Sequence, residues 1–146
     1  MLESQEVYNK VLFALRKQGR PSINTEDSHE FGDAGTVCMY RNEDDEKCAA
    51  GHLIEDQFYD SKTEGYSLRN APIDDAIKLE EWLAECPWRA ALFNALTSSG
   101  IRTSDIALVN RLQRAHDIAL QQGVEQWEAA MKVVAVDYVL NYTEPA

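Results

Sequence analysis

Two cysteines and two histidines within a short stretch are the residues best suited to chemistry. They are Cys38, Cys48, His29 and His52, and the four-residue spacing of Cys48 and His52 places both on one side of a helix. Thiolate sulfur and imidazole nitrogen are ligands that tetrahedral zinc favours. The set lacks a Cys-x-x-Cys pair, however, and a cysteine serves equally well as a small buried packing residue. We therefore expect no cofactor, with zinc as the alternative.

A cysteine-dependent enzyme is a second interpretation of the same residues. Cys48 is predicted at the start of a helix, where the helix dipole activates a thiol, and His52 lies within reach as a base. A catalytic pair also needs an orienting group and an oxyanion site, and the sequence identifies neither. No glycine-rich phosphate-binding motif is present. No catalytic residue is therefore assigned.

Negative charge is the strongest compositional feature. The chain has 14 Lys plus Arg against 25 Asp plus Glu, for a net charge of −11, which argues against binding to nucleic acid. Carboxylates cluster in the middle of the chain, and we expect this cluster to be a protein-binding surface. Its predicted members are Glu43, Asp44, Asp45, Glu46, Glu55, Asp56 and Asp60. The alternative is that it mimics the phosphates of a nucleic acid.

The elements that must position these residues are mainly helices. Apolar periodicity predicts a helix over residues 4–18, a polar loop over 22–35 and a strand over 36–41, which a charged turn joins to a short helix from Cys48. Further helices are predicted from residues 74, 87, 103 and 126 onward. A strand competes with the last helix at residues 133–136. The predicted fold is α+β, mainly α: one domain of five to six helices with a small β-hairpin, spanning residues 1–146.

Cysteine count and hydropathy indicate the environment. Three cysteines are too few for a disulfide framework, and no apolar run reaches the ~18 to 20 residues of a membrane span. Acidic residues occupy the first positions, where a signal peptide would carry basic ones. We expect a cytoplasmic protein with free thiols and no membrane partner.

The segment from Cys38 to Tyr59 resembles a family of small uncharacterised proteins from tailed phages and bacteria. That family has a Cys-x-Tyr-Arg strand, a polar turn and a Cys-Ala-x-Gly-x-Leu-Ile-Pro-Asp segment that leads to an aromatic residue. The matching residues here are Cys38, Tyr40, Arg41, Cys48, Ala49, Gly51, Leu53, Ile54, Asp56 and Tyr59. Glu55 stands in place of the proline and Glu46 in place of a turn glycine.

The later Leu-Gln-x-x-His-Asp string and Trp127 also fit that family, as does the opening helix. The resemblance implies a phage or prophage origin and no particular reaction. By analogy with phage proteins of this size and charge, we expect an accessory protein that binds a host or phage protein, as an inhibitor of a host or defence factor. Alternatives are the zinc or thiol enzyme, the nucleic-acid mimic, and a structural protein that assembles as a homo-oligomer.

Overall fold

The computed structural model describes residues 1–19, 39–42 and 44–145. These residues form six α-helices. Two short 3-10 turns, Asp56–Phe58 and Ser61–Thr63, lie between the second and third helices, and a third, Thr103–Asp105, precedes the fifth. The helices are α1 (Ser4–Gln18), α2 (Ala49–Leu53), α3 (Ala76–Ala84), α4 (Pro87–Ser98), α5 (Ile106–Gln122) and α6 (Val124–Asp137). The prediction of a mainly helical protein is confirmed.

The predicted β-hairpin is wrong for the described residues, none of which forms a strand. Two hairpin-like bonds are present: the Asn42 amide donates to the Glu46 carbonyl at 3.0 Å, and the Cys48 amide donates to the Met39 carbonyl at 3.1 Å. The amides of Tyr40 and Arg41 instead donate to the side chain of Glu64, at 2.8 and 3.1 Å. Consecutive amides of a β-strand point to opposite sides, so two consecutive amides that converge on one carboxylate do not fit a strand, and the segment is irregular. The start of the predicted strand and the preceding loop lie outside the described residues.

The core is built around α5, which packs against α1, α2 and α6. Helix α1 contributes the predicted stripe, including Val7, Val11 and Leu15, and all three are buried. Tyr8 is also fully buried, and its hydroxyl donates to the carbonyl of Met131 in α6 at 2.8 Å. Burial raises the pKa of Tyr8 to about 12, so this hydroxyl remains a donor at physiological pH.

Helix ends follow local sequence signals. Glu3 and Glu6 form a capping box at the start of α1, and Gly19 ends the helix at φ 77°, in the left-handed region. The Asp75 side chain accepts from the amides of Ile77 and Lys78 and so caps α3. At residues 133–136 the helix, which the longer apolar spacing favours over a strand, is confirmed, since those residues lie within α6.

The chain beyond α6 is attached to α1 and α6 through Arg16. This guanidinium forms two bonds with the Glu128 carboxylate, at 2.7 and 2.9 Å, and donates to the Thr143 carbonyl at 2.7 Å. The hydroxyl of Tyr142 donates to Glu128 at 2.5 Å. The hydrogen bonds from Arg16 and Tyr142 hold the pKa of Glu128 below its usual value. The C-terminal segment is thus part of the packed structure.

Candidate functional site

Residues 39–42 lie directly against α2, and Gly51 makes this contact feasible. A Cβ atom at position 51 would lie 2.1 Å from the carbonyl oxygen of Tyr40 and 2.9 Å from its carbonyl carbon. Both distances are far shorter than van der Waals contact, so only glycine fits here. The glycine in the Cys-Ala-x-Gly string therefore has a packing role.

Arg41 connects this segment to the chain that follows α2. Its Nη2 donates to the Ile54 carbonyl at 3.1 Å and lies 2.8 Å from Oδ1 of Asp56. The guanidinium carbon also lies over the Tyr59 ring, 4.5 Å from its centroid. One mostly buried side chain, 15% exposed, thereby fixes the relative position of residues 42–46 and 54–60.

Glu64 also connects residues 39–42 to the chain that follows α2. Besides the two backbone amides already described, its carboxylate accepts from the Tyr59 hydroxyl at 2.6 Å. Burial, followed by this hydrogen bond, raises the pKa of Tyr59. The Tyr40 hydroxyl donates to the Tyr66 carbonyl, which ties the same segment to the residues after the second 3-10 turn. The bonds to the Glu64 carboxylate are charge-assisted, which is the stronger class of hydrogen bond, so we expect residues 39–42 to be rigid.

Most of the predicted acidic residues have exposed side chains. The exposed ones, named here the acidic surface, are Asp44, Asp45, Glu55, Asp56 and Asp60. Glu46 is half-buried and accepts from the amide nitrogen of the Asn42 side chain at 2.7 Å, so it stabilises the turn. Glu43 lies outside the described residues.

Aromatic residues near the acidic surface are a feature that sequence reasoning missed. Phe58 and Tyr66 are each 38% exposed and lie close in sequence to the acidic residues of this region. The Lys62 ammonium lies 5.3 Å from the centroid of the Trp88 ring, and the Arg89 guanidinium carbon lies 3.7 Å from that of Trp82. The sequence signal for this feature is the density of aromatic residues between positions 58 and 88, which is hard to notice among the many charged residues there.

The predicted thiol and imidazole pair does not form an open site. Cys48 is fully buried at the N-terminal end of α2, and Nε2 of His52 lies 3.1 Å from Oε1 of Gln18. Burial, with smaller contributions from neighbouring cations, lowers the pKa of His52 from 6.5 to about 4. This imidazole is therefore neutral at physiological pH.

The predicted zinc set is only half covered by the structure. Cys38 and His29 lie outside the described residues. Among the residues that are described, no group of three or more His, Cys, Asp or Glu side chains is placed to hold a metal ion. The zinc alternative stays a prediction.

His116 of the Leu-Gln-x-x-His-Asp string lies in the core. It is 1% exposed, and its Nδ1 lies 3.3 Å from Oδ1 of Asp117. Gln113, one turn earlier on α5, accepts from the Ala50 amide of α2 at 3.1 Å and donates to Asp117 at 3.1 Å. This string therefore joins α5 to α2.

Comparisons with known proteins add no relative: the chain matches no protein-family model, no curated protein and no solved structure. Within the described residues, none of the helices has the length and apolar character needed to cross a membrane.

Proposed function

We propose that this protein acts by binding another protein through the acidic surface. The observation that carries the proposal is the position of Arg41, which binds Asp56 and stacks on Tyr59 while residues 42–46 follow it directly. Arg41 thereby links the stretch that carries Asp44 and Asp45 to the stretch that carries Asp56 and Asp60. A preorganised surface binds at a lower entropic cost than a flexible acidic loop.

The neighbouring aromatic side chains support protein recognition over simple solvation. Interface cores are enriched in aromatic residues and surrounded by a polar rim. Phe58 and Tyr66 offer partly exposed rings, and the carboxylates of Glu55, Asp56 and Asp60 lie close by in the chain. A partner with a basic rim around an apolar pocket would complement both features.

The packing of the thiol and the imidazole favours a binding role for this segment over a catalytic one. Cys48 is fully buried, its amide donates to the Met39 carbonyl, and the His52 imidazole bonds to Gln18. A nucleophile and its base must reach the substrate, and this arrangement offers no access to the sulfur.

The second part of the proposal concerns the kind of partner. The resemblance of the Cys38 to Tyr59 segment to proteins of tailed phages suggests an accessory protein that binds a host or phage protein, as an inhibitor of a host or defence factor. Nucleic-acid mimicry would use the same carboxylates. The partly exposed rings of Phe58 and Tyr66 instead favour a partner that has an apolar pocket to receive them.

Affinity capture from bacterial lysate tests the proposal. The test variant combines Asp44→Asn, Asp45→Asn, Glu55→Gln and Asp60→Asn. Asparagine retains the capping function at position 60, where the aspartate side chain accepts from the Lys62 amide at 2.9 Å. The variant should fold like the wild type and recover much less of any specific partner.

A matched variant controls for net charge. It carries Asp74→Asn, Glu80→Gln, Glu81→Gln and Glu125→Gln, which neutralise four exposed carboxylates on other elements. We expect this control to recover the same partner as the wild type. Equal recovery of every captured protein by both variants would remove the acidic surface from the mechanism.

A further inference from the structure

An arginine-lined groove lies between α5, α6 and residues 69–71. It consists of two cavities, of about 230 and 250 Å³, that share Arg111 and Arg114 in their walls. Residues at positions 107, 110, 111 and 114 of α5 line it, a spacing that follows one face of the helix. The first cavity continues along α6 to Ala130 and Val133.

The charge of the groove is opposite to that of the whole chain. Arg69 and Arg114 are exposed, and neither forms an ion pair within the part of the chain that the structure describes. Arg111 bonds to Asp137 at 2.7 Å, which neutralises one of the three guanidinium groups. Two arginines that have no ion-pair partner among the described residues thus border one groove of a protein whose net charge is −11.

Apolar side chains of α6 are exposed at the groove and about one helical turn beyond it. Val133, which lines the first cavity, is 54% exposed, and Val136, about one turn further along α6, is 77% exposed. Water-exposed valines and exposed guanidinium groups form a mixed surface here, and arginine is a residue type enriched at protein interfaces. The groove can therefore bury apolar side chains of a ligand while pairing with its carboxylates.

We propose that this groove binds an acidic, amphipathic segment of a partner protein, separately from the acidic surface. Carboxylates of the segment pair with Arg69 and Arg114, and its apolar residues cover Val133 and Val136. Charge complementarity selects this occupant, because guanidinium groups form bidentate bonds with carboxylates. Two arginines can pair with the few carboxylates of such a segment, whereas binding of a nucleic acid requires neutralisation of many phosphates.

Fluorescence anisotropy with a short labelled peptide tests this proposal. The peptide presents glutamate and leucine on one helical face, and a matched peptide carries glutamine in place of each glutamate. The wild-type protein should bind the acidic peptide and not the glutamine peptide. The double variant Arg69→Glu and Arg114→Glu should weaken binding about tenfold or more, because each substitution replaces an attractive ion pair with two carboxylates that repel each other.

The control is the double variant Lys10→Glu and Lys78→Glu, which changes net charge equally at exposed residues outside the groove. It should retain nearly full affinity, as should the four-residue variant of the acidic surface, which separates this proposal from the proposed function. Equal losses in both double variants, or no preference for the acidic peptide, would overturn the proposal. Concentration-dependent self-association that the arginine variant abolishes would assign the groove to a second copy of the chain instead.

Discussion

Gly51→Ala should destabilise the protein strongly, although alanine is the better helix former. The new methyl carbon would lie 2.1 Å from the Tyr40 carbonyl oxygen, 2.9 Å from its carbonyl carbon and 3.1 Å from its Cα atom. All three neighbours are backbone atoms, so no side-chain rotation relieves the contact. Residues 39–42 must move away from α2 by about 1.4 Å to bring the shortest of these contacts, 2.1 Å, to a normal separation of about 3.5 Å.

That movement strains the hydrogen bonds that hold the segment in place. These are the bond from the Cys48 amide to Met39 and the two from Tyr40 and Arg41 to the Glu64 carboxylate. A neutral bond contributes about 1 kcal/mol and a bond to a charged group about 1.5–3 kcal/mol. With partial relaxation, and a gain of about 1 kcal/mol from helix propensity, we expect a net loss of about 2–4 kcal/mol.

Urea denaturation followed by circular dichroism measures this loss, and Gly19→Ala is the matched control. Gly19 has a φ of 77°, and a Cβ atom added there would meet no atom of the described residues within 4 Å, so this variant tests backbone conformation without the crowding found at Gly51. Its cost should be about 1 kcal/mol. A loss for Gly51→Ala no larger than that of Gly19→Ala would refute the close approach of Tyr40 to α2.

Three further predictions concern the core and the C-terminal segment. Because burial lowers the folded pKa of His52 to about 4 from 6.5, the unfolded chain takes up the proton first, and stability present above pH 6.5 should fall as the pH drops toward 4. The loss is about 1–2 kcal/mol after allowing for partial solvent access, and denaturation midpoints of wild type and His52→Gln at both pH values should reveal it. Arg16→Ala should lower the free energy of unfolding by about 1–3 kcal/mol, because the Glu128 carboxylate loses its two bonds to Arg16. Amide exchange at residues 141–144 should accelerate, and unchanged exchange would show that Arg16 does not hold that segment in place. Brief alkylation should label half-buried Cys86 before fully buried Cys48, and mass spectrometry would detect the opposite order if the Cys48 thiol were accessible.

The helices were predictable because their signals are local. The apolar stripe of α1, Gly19 at its end and Pro87 at the start of α4 each act within one helical turn. The hairpin prediction failed because its outcome depended on Glu64, more than twenty residues away along the chain. No local pattern indicates that a distant carboxylate will take the donors of Tyr40 and Arg41.

The candidate site was predictable in composition and not in geometry. The carboxylates of Asp44, Asp56 and Asp60 are exposed as polar residues in charged turns usually are. The connection of these stretches by Arg41 depends on tertiary packing. The arginine groove was also missed, since Arg69 meets α5 only after folding brings the chain back, with the Asn110 side chain donating to the Leu68 carbonyl at 2.9 Å.

The acidic surface is proposed to recognise a protein partner. The most direct measurement is the dissociation constant of a captured, purified partner for the wild type and for the two four-residue neutralising variants. We expect neutralisation of Asp44, Asp45, Glu55 and Asp60 to weaken binding about 10- to 100-fold. The difference in affinity between the wild type and this variant should decrease as the salt concentration is raised. The control variant should bind like the wild type. Equal dissociation constants for the wild type and the acidic-surface variant would contradict the claim.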